Sequence, residues 1–217
     1  MKSGIETKNN FYLFLMIGVF SGSLVVSQIL AAKIVMWQGV VFPAGVIAYC
    51  VTFVVTDVVS EIWGKDIAKQ VVWVGFAAVI VSLILIQSAL FMPAAPFWKH
   101  AQDFSATLNS TPRIVLASCI AYLCSQTHDV WAFHFWKKVT KDKHLWLRNN
   151  FSTAVSQIID TTLFIGIAFG GKVSILPLIL GQLLIKLGIA LLDTPVVYLL
   201  VWFFKNTLGS QKCTLKI

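Results

Sequence analysis

Apolar residues fall into six long runs, separated by short polar or basic stretches, at residues 11–35, 41–63, 67–92, 113–136, 151–170 and 174–204. Each is long enough to cross a bilayer as a helix. The first follows Lys2 and Lys8, as the core of a signal peptide does. At about 25 residues it exceeds such a core, and five more runs follow. The pattern predicts one all-α integral membrane domain over residues 1–217, with six transmembrane helices. Its longest connection, residues 93–111, reads as a loop. Pro195 inside the last run predicts a kink.

Charge placement adds an orientation. Lys2, Lys8, Lys65, Lys69, Lys137, Lys138, Lys141, Lys143, Arg148, Lys205, Lys212 and Lys216 fall on one side of the predicted spans. Only Lys99, Arg113 and Lys172 fall on the other. Positive residues stay cytoplasmic, so both termini are predicted inside. Trp37 and Trp98 on the outer side, with Trp63, Trp136, Trp146 and Trp202 on the inner, read as interfacial belts.

Composition agrees with this reading. The chain is 217 residues, 58% hydrophobic and 12% charged. A soluble domain of this length carries far more charge. The formal charge of +8 sits between apolar runs, which fits membrane orientation and not nucleic-acid binding. Cys50, Cys119, Cys124 and Cys213 show no CxxC spacing and read as packing residues. Gly18-x-x-x-Gly22 and Gly166-x-x-x-Gly170 allow close helix contact, within the monomer or in a homo-oligomer.

The informative residues are polar groups inside the apolar runs. Asp57 and Glu61 lie one turn apart on the second helix. The fourth carries Gln126 and Asp129, and the fifth Gln157 and Asp160, each an amide and an acid three positions apart. The sixth carries Gln182, Lys186 and Asp193 on one stripe. The first carries Gln28, and Lys33 near its outer end. Ionisable groups at such depth are costly and face a cavity or a partner. As a set they predict a shared hydrophilic chamber; taken singly, any one of them serves equally well as a packing contact. Glu61 has Lys65 as a candidate surface partner. His128 reads as a packed histidine, because His100, His134 and His144 are not at ligand spacing to it, and no metal site is predicted. Phosphate-binding loops, HExxH and GxSxG are absent from the sequence, so neither ATP hydrolysis nor familiar hydrolytic chemistry is expected.

Five stretches carry a resemblance that spans nearly the whole chain in order. They are the Lys33 region, TFVVTDVVSEIWGKDIA at 52–68, RIVLASCIAYLCSQTHD at 113–129, LWLRNNFSTAVSQIIDTTLFIGIAF at 145–169 and KLGIALLDTP at 186–195. The chain resembles the queuosine precursor transporter family, also called the VUT or YhhQ family. It departs from many members at Gln28, where they have Asn. The resemblance implies a multi-pass protein of the bacterial inner membrane that imports 7-deazaguanine bases for tRNA modification: the cyano- or aminomethyl-deazaguanine, or queuine. It implies no cofactor and no enzymatic activity. The six-helix organisation also looks like that of the substrate-binding subunits of energy-coupling-factor transporters.

The polar set suits such a base. A deazaguanine presents N1–H and an exocyclic amine side by side, with an acceptor at O6. One carboxylate accepts both donors, which rejects bases lacking them. Asp129 or Asp160 is the candidate for that contact. Gln28, Asp57, Gln126, Gln157 and Lys186 are candidates for the rest of the substrate site. Lys33, Glu61 and Asp193 are candidates for gating or proton coupling. Phe53, Trp73 and Phe164 offer rings for stacking, though each also serves as bulky core. Three alternatives stay open: a transporter or substrate-binding subunit for another vitamin-like molecule, a membrane-embedded enzyme using paired acids, and a purely structural helix bundle.

Overall fold

The computed structural model describes residues 2–31, 33–37, 39–109, 112–141, 143–171 and 175–208. The apolar runs form helices, since a backbone surrounded by lipid must satisfy its own hydrogen bonds. In chain order they are α1 (Lys2–Leu30), α2 (Gly45–Ile62), α3 (Lys65–Phe91), α4 (Ala101–Leu108), α5 (Pro112–Val139), α6 (Leu145–Phe169) and α7 (Ile175–Leu208). Five contain stretches long and apolar enough to cross a membrane: Asn9–Leu30, Gly45–Ile62, Lys65–Phe91, Leu145–Ala168 and Ile175–Leu208. Helix α5 is as long, at 28 residues, but its middle is the polar sequence 125–129.

Several boundaries differ from expectation. The first helix stops at Leu30 and the second starts at Gly45; between them, residues predicted to end the one or begin the other fall in an antiparallel hairpin, β1 (Ile34–Trp37) with β2 (Val40–Pro43). Its register pairs Ile34 with Pro43 and Trp37 with Val40. The reason is local: β-branched and aromatic residues flank a tight turn in which Gly39 takes φ +81°, a left-handed value cheap only for glycine. Lys33 consequently sits exposed in the bend before β1, outside any helix. The loop at 93–111 contains α4, which buries none of its side chains. Helix α7 continues through Pro195 as one element. Of the residues used for orientation, the side chains of Lys2, Lys8 and Arg113, and the whole of Lys172, Lys212 and Lys216, lie outside the described residues, as does Ser174.

Helix α2 is the centre of the bundle. It packs against α1, α3, α5 and α7, while α5 and α6 lie together along their length and α6 continues onto α7. Every residue from 52 to 60 is buried. Helix α3 by contrast buries only Ala68, Val71, Val72, Gly75 and Val79, a single stripe at helical spacing, as expected of a peripheral helix. Close approach depends on two glycines that are not the GxxxG residues. A Cβ on Gly45 would strike the backbone of Ser27 in α1, and one on Gly75 would strike Phe20, Leu24 and Tyr122. A Cβ on Gly18, Gly22 or Gly166 would meet nothing, so these three bring no helices of the monomer together.

The tryptophans also sort differently. Trp98, Trp146 and Trp202 are exposed as a belt requires, but Trp63 is buried and donates Nε1–H to Asn9 Oδ1 at 2.9 Å. The Trp37 side chain lies outside the described residues.

Candidate functional site

Helix α2 presents two chemically distinct faces. Val54, Val55, Val58 and Val59 join Phe20, Leu24, Val71, Val72 and Phe133 in the main apolar core. Tyr49, Thr52, Thr56 and Asp57 turn toward α5 and α6, where they meet a buried polar seam. The seam has three tiers along the bundle.

The first tier is at the basic end, where α2 finishes. Glu61 pairs with Lys137 at 2.9 Å, Arg148 at 3.2 Å and Lys205 at 3.0 Å. One carboxylate thereby ties α2 to α5, α6 and α7. The expected partner, Lys65, is not among these. Arg148, read from sequence as a surface loop charge, is buried in the first turn of α6 with its guanidinium 5.4 Å from the centre of the Phe133 ring. A buried guanidinium needs such partners to offset its desolvation.

The second tier holds the acids. Asp129 accepts from Ser156 Oγ at 3.2 Å and Thr56 Oγ1 at 3.4 Å. Asp57 accepts from Thr153 Oγ1 at 3.4 Å. The two carboxyls lie within reach of each other, and Asp193 of α7 is near enough to both to interact electrostatically. Next to Asp193, Thr194 Oγ1 accepts from Asn150 Nδ2 at 2.9 Å. His128 Nδ1 shares a 3.0 Å hydrogen bond with Ser156 Oγ, the packed role expected of it.

The third tier lies farther from the basic end. Gln126 Nε2 donates to Thr52 Oγ1 at 3.0 Å. Asp160 accepts from Tyr49 at 2.7 Å, Ser125 at 3.2 Å and Lys186 at 2.5 Å. The Lys186 ammonium also lies 5.1 Å from the centre of the Tyr49 ring, a cation–π contact. Gln157 and Gln182 are buried here too.

The fold thus brings together Asp57, Gln126, Asp129, Gln157, Asp160, Lys186 and Asp193. It leaves Gln28 half-buried on α1 and Lys33 exposed beyond it. Among the stacking candidates, Phe53 is buried and Trp73 is exposed. The sequence reading missed Tyr49, Thr52 and Thr56. Their signal was available, since Tyr49, Thr52, Thr56 and Ser60 recur at helical spacing along α2.

The hydrogen-bonding capacity of the seam is unevenly used. Asp160 has three donors from its own chain. Asp57 Oδ1, Gln126 Oε1, Gln157 Oε1, Asn149 Oδ1 and Thr161 Oγ1 are buried with no hydrogen-bond partner among the described residues. Buried polar atoms are normally paired, and an unpaired one costs about 1–3 kcal/mol. Several together, with acceptors in the majority, make a site able to take a ligand rich in donors. The expected open chamber takes a different form: the seam's side chains close directly on one another, and a cavity of about 620 Å³ lies instead on the outer flank of α5. No group of three or more His, Cys, Asp or Glu suited to a metal ion occurs among the described residues.

Comparison with known proteins follows the same lines. Residues 43–200 match the family model described as "Putative vitamin uptake transporter". The chain is 33% identical over 196 residues to a probable queuosine precursor transporter of Bacillus subtilis (strain 168), covering 86% of this chain and 82% of that protein. It is 29% identical over 127 residues to the queuosine precursor transporter of Escherichia coli (strain K12), covering 58% and 54%. No solved structure matches the chain. A family match across most of the chain, and a relative alike over nearly its full length, agree with the bundle of apolar helices. The chain is a member of the vitamin uptake transporter family, membrane transporters and not enzymes.

Proposed function

We propose that this chain imports 7-deazaguanine precursors of queuosine across the bacterial inner membrane, as six spans with both termini in the cytoplasm. Helix α5 is the sixth span, its polar middle shielded from lipid by α2 and α6. The substrate is read in the seam. The observation that carries this reading is the set of unpaired acceptors around Asp57 and Asp129. N1–H and the exocyclic amine of the base supply the donors those acceptors need. Asp129, held by hydroxyls at 3.2 and 3.4 Å and backed by Asp57, is the better reader than Asp160, which is tied to the Lys186 ammonium as well as to Tyr49 and Ser125. Gln126, Gln157 and Lys186 line the same seam and complete the contacts. Because the seam is closed by direct contacts, the substrate enters only when the helices part. The Glu61 cluster at the basic end is the natural inner gate, and Asp193 is placed beside the acids for coupling.

Complementation tests the proposal. A bacterium unable to make queuosine and lacking its own importer is given the chain and fed cyano-deazaguanine, aminomethyl-deazaguanine or queuine. Restored queuosine in tRNA with at least one base is expected. Failure with all three, despite verified membrane expression, overturns the reading.

The family's own description favours a second reading, in which the chain takes up a different vitamin-like molecule; such a chain would work as a substrate-binding subunit. Copurification with an ATPase module, together with no binding of deazaguanines, would favour it.

A further inference from the structure

The cavity on the outer flank of α5 opens away from the seam and shares only His128 with it. It lies between α3, α5 and α6, and its lining includes Lys65, Lys69, Leu123, His128, Trp131 and Ile159. Lys65 and Lys69 are one turn apart on α3, so their ammonium groups reach the same place. Neither forms an ion pair among the described residues. The acidic neighbour is Asp66, exposed and roughly 100° around α3 from Lys65. The rest of the lining is mostly apolar.

The two chemistries are ordered along the groove. The lysines stand at the start of α3, at the basic end of the bundle. Leu123 lies eight positions before Trp131 on α5, about 12 Å away from that end. Just past Leu123 the groove closes, where Tyr122 donates its hydroxyl to the backbone carbonyl of Val72 at 2.6 Å. A pair of cations at the membrane surface, leading into an apolar slot between helices, matches a lipid: phosphate at the rim, acyl chain along the slot.

We propose that this groove binds one anionic glycerophospholipid of the leaflet at the basic end. Its phosphate sits between Lys65 and Lys69, with the His128 ring and Trp131 beside it. The acyl chain runs along Leu123 and Ile159. Charge decides the class: two uncompensated ammonium groups favour a net negative headgroup over a zwitterionic one, which brings its own cation. Anionic lipids are also enriched in the cytoplasmic leaflet, where the orientation proposed above puts this end. Long lysine stems reach the headgroup while covering apolar surface.

Native mass spectrometry of the purified full chain tests it, with phosphatidylglycerol and phosphatidylcholine of identical acyl chains as probes. The wild type is expected to retain phosphatidylglycerol in preference, as a single dominant adduct. Lys65→Gln and Lys69→Gln each lower that preference, by roughly five-fold per lysine. The pair Lys138→Gln, exposed in the last turn of α5, and Lys143→Gln, exposed on the loop after it, leaves it intact. Because the lysines are unpaired, the variants should melt like the wild type, so lost folding does not mimic lost binding. Equal retention of the two lipids by the wild type overturns the proposal. So does full preference in the Lys65/Lys69 double variant, or an equal loss in the Lys138/Lys143 variant.

Discussion

The apolar and polar faces of α2 bury comparable lengths of helix by different means. On one side, valines pack against α1 and α3, and the helices meet closely where Gly45 and Gly75 leave room. On the other, hydroxyls, amides and acids meet across α5, α6 and α7. Lipid is as apolar as leucine, so burying apolar side chains does not drive these helices together; contact quality does. The apolar face therefore suffices for assembly. The polar face carries more ionisable groups than packing requires and leaves acceptors unpaired. Selection for stability alone would not keep such a face, whereas selection for the donor-rich substrate proposed above would.

Substitutions can break that contrast. The largest expected effect is on folding. Lys186→Met leaves Asp160 buried without its cation, and destabilisation of about 3–5 kcal/mol should appear as a lower thermal midpoint in detergent. A restoring second change, Asp160→Leu, should recover most of the midpoint, showing that the pair rather than either residue matters to stability. Next comes a substitution expected to spare the fold. Asp129→Asn keeps the shape and one acceptor but loses the carboxylate, so deazaguanine uptake should fall about 100-fold, in line with losing one hydrogen bond to a charged group. The midpoint should change by less than about 1 kcal/mol equivalent. If stability falls while uptake per folded molecule holds, the second tier is structural and the proposed site is wrong. On the apolar face the expectation reverses. Gly45→Ala forces α1 and α2 apart, costing about 1–3 kcal/mol, while surviving protein transports normally. The smallest effect belongs to Thr56→Val, which removes one donor to Asp129. Membrane hydrogen bonds of this kind average about 0.6 kcal/mol, so the midpoint barely moves. A change above about 2 kcal/mol would show the seam to be more cooperative than its pairs suggest.

The Glu61 cluster sharpens the comparison further. It is polar, yet each of its ion pairs joins α2 to another helix, so it resembles the apolar face in holding the bundle together. It differs in being at the rim, with Lys137 and Lys205 reaching solvent. Ion pairs there can part without exposing charge to lipid, which suits a gate better than a site.

Sequence alone determined that the chain is a membrane bundle of long helices with acids in its interior, because apolar run length and the rarity of buried charge are local properties. Helical spacing also identified which residues share a face, as Gln126 does with Asp129 and Gln157 with Asp160. Spacing cannot say which faces meet. That depends on how each helix is rotated and where it crosses its neighbours. Hence only the tertiary structure paired Lys186 with Asp160, buried Arg148 against Glu61, and left Asp57 facing Asp129 with its Oδ1 unpaired. The hairpin after α1 escaped for a related reason. Its four-residue strands are as apolar as the helix they follow, and only the turn at Gly39 separates the two outcomes.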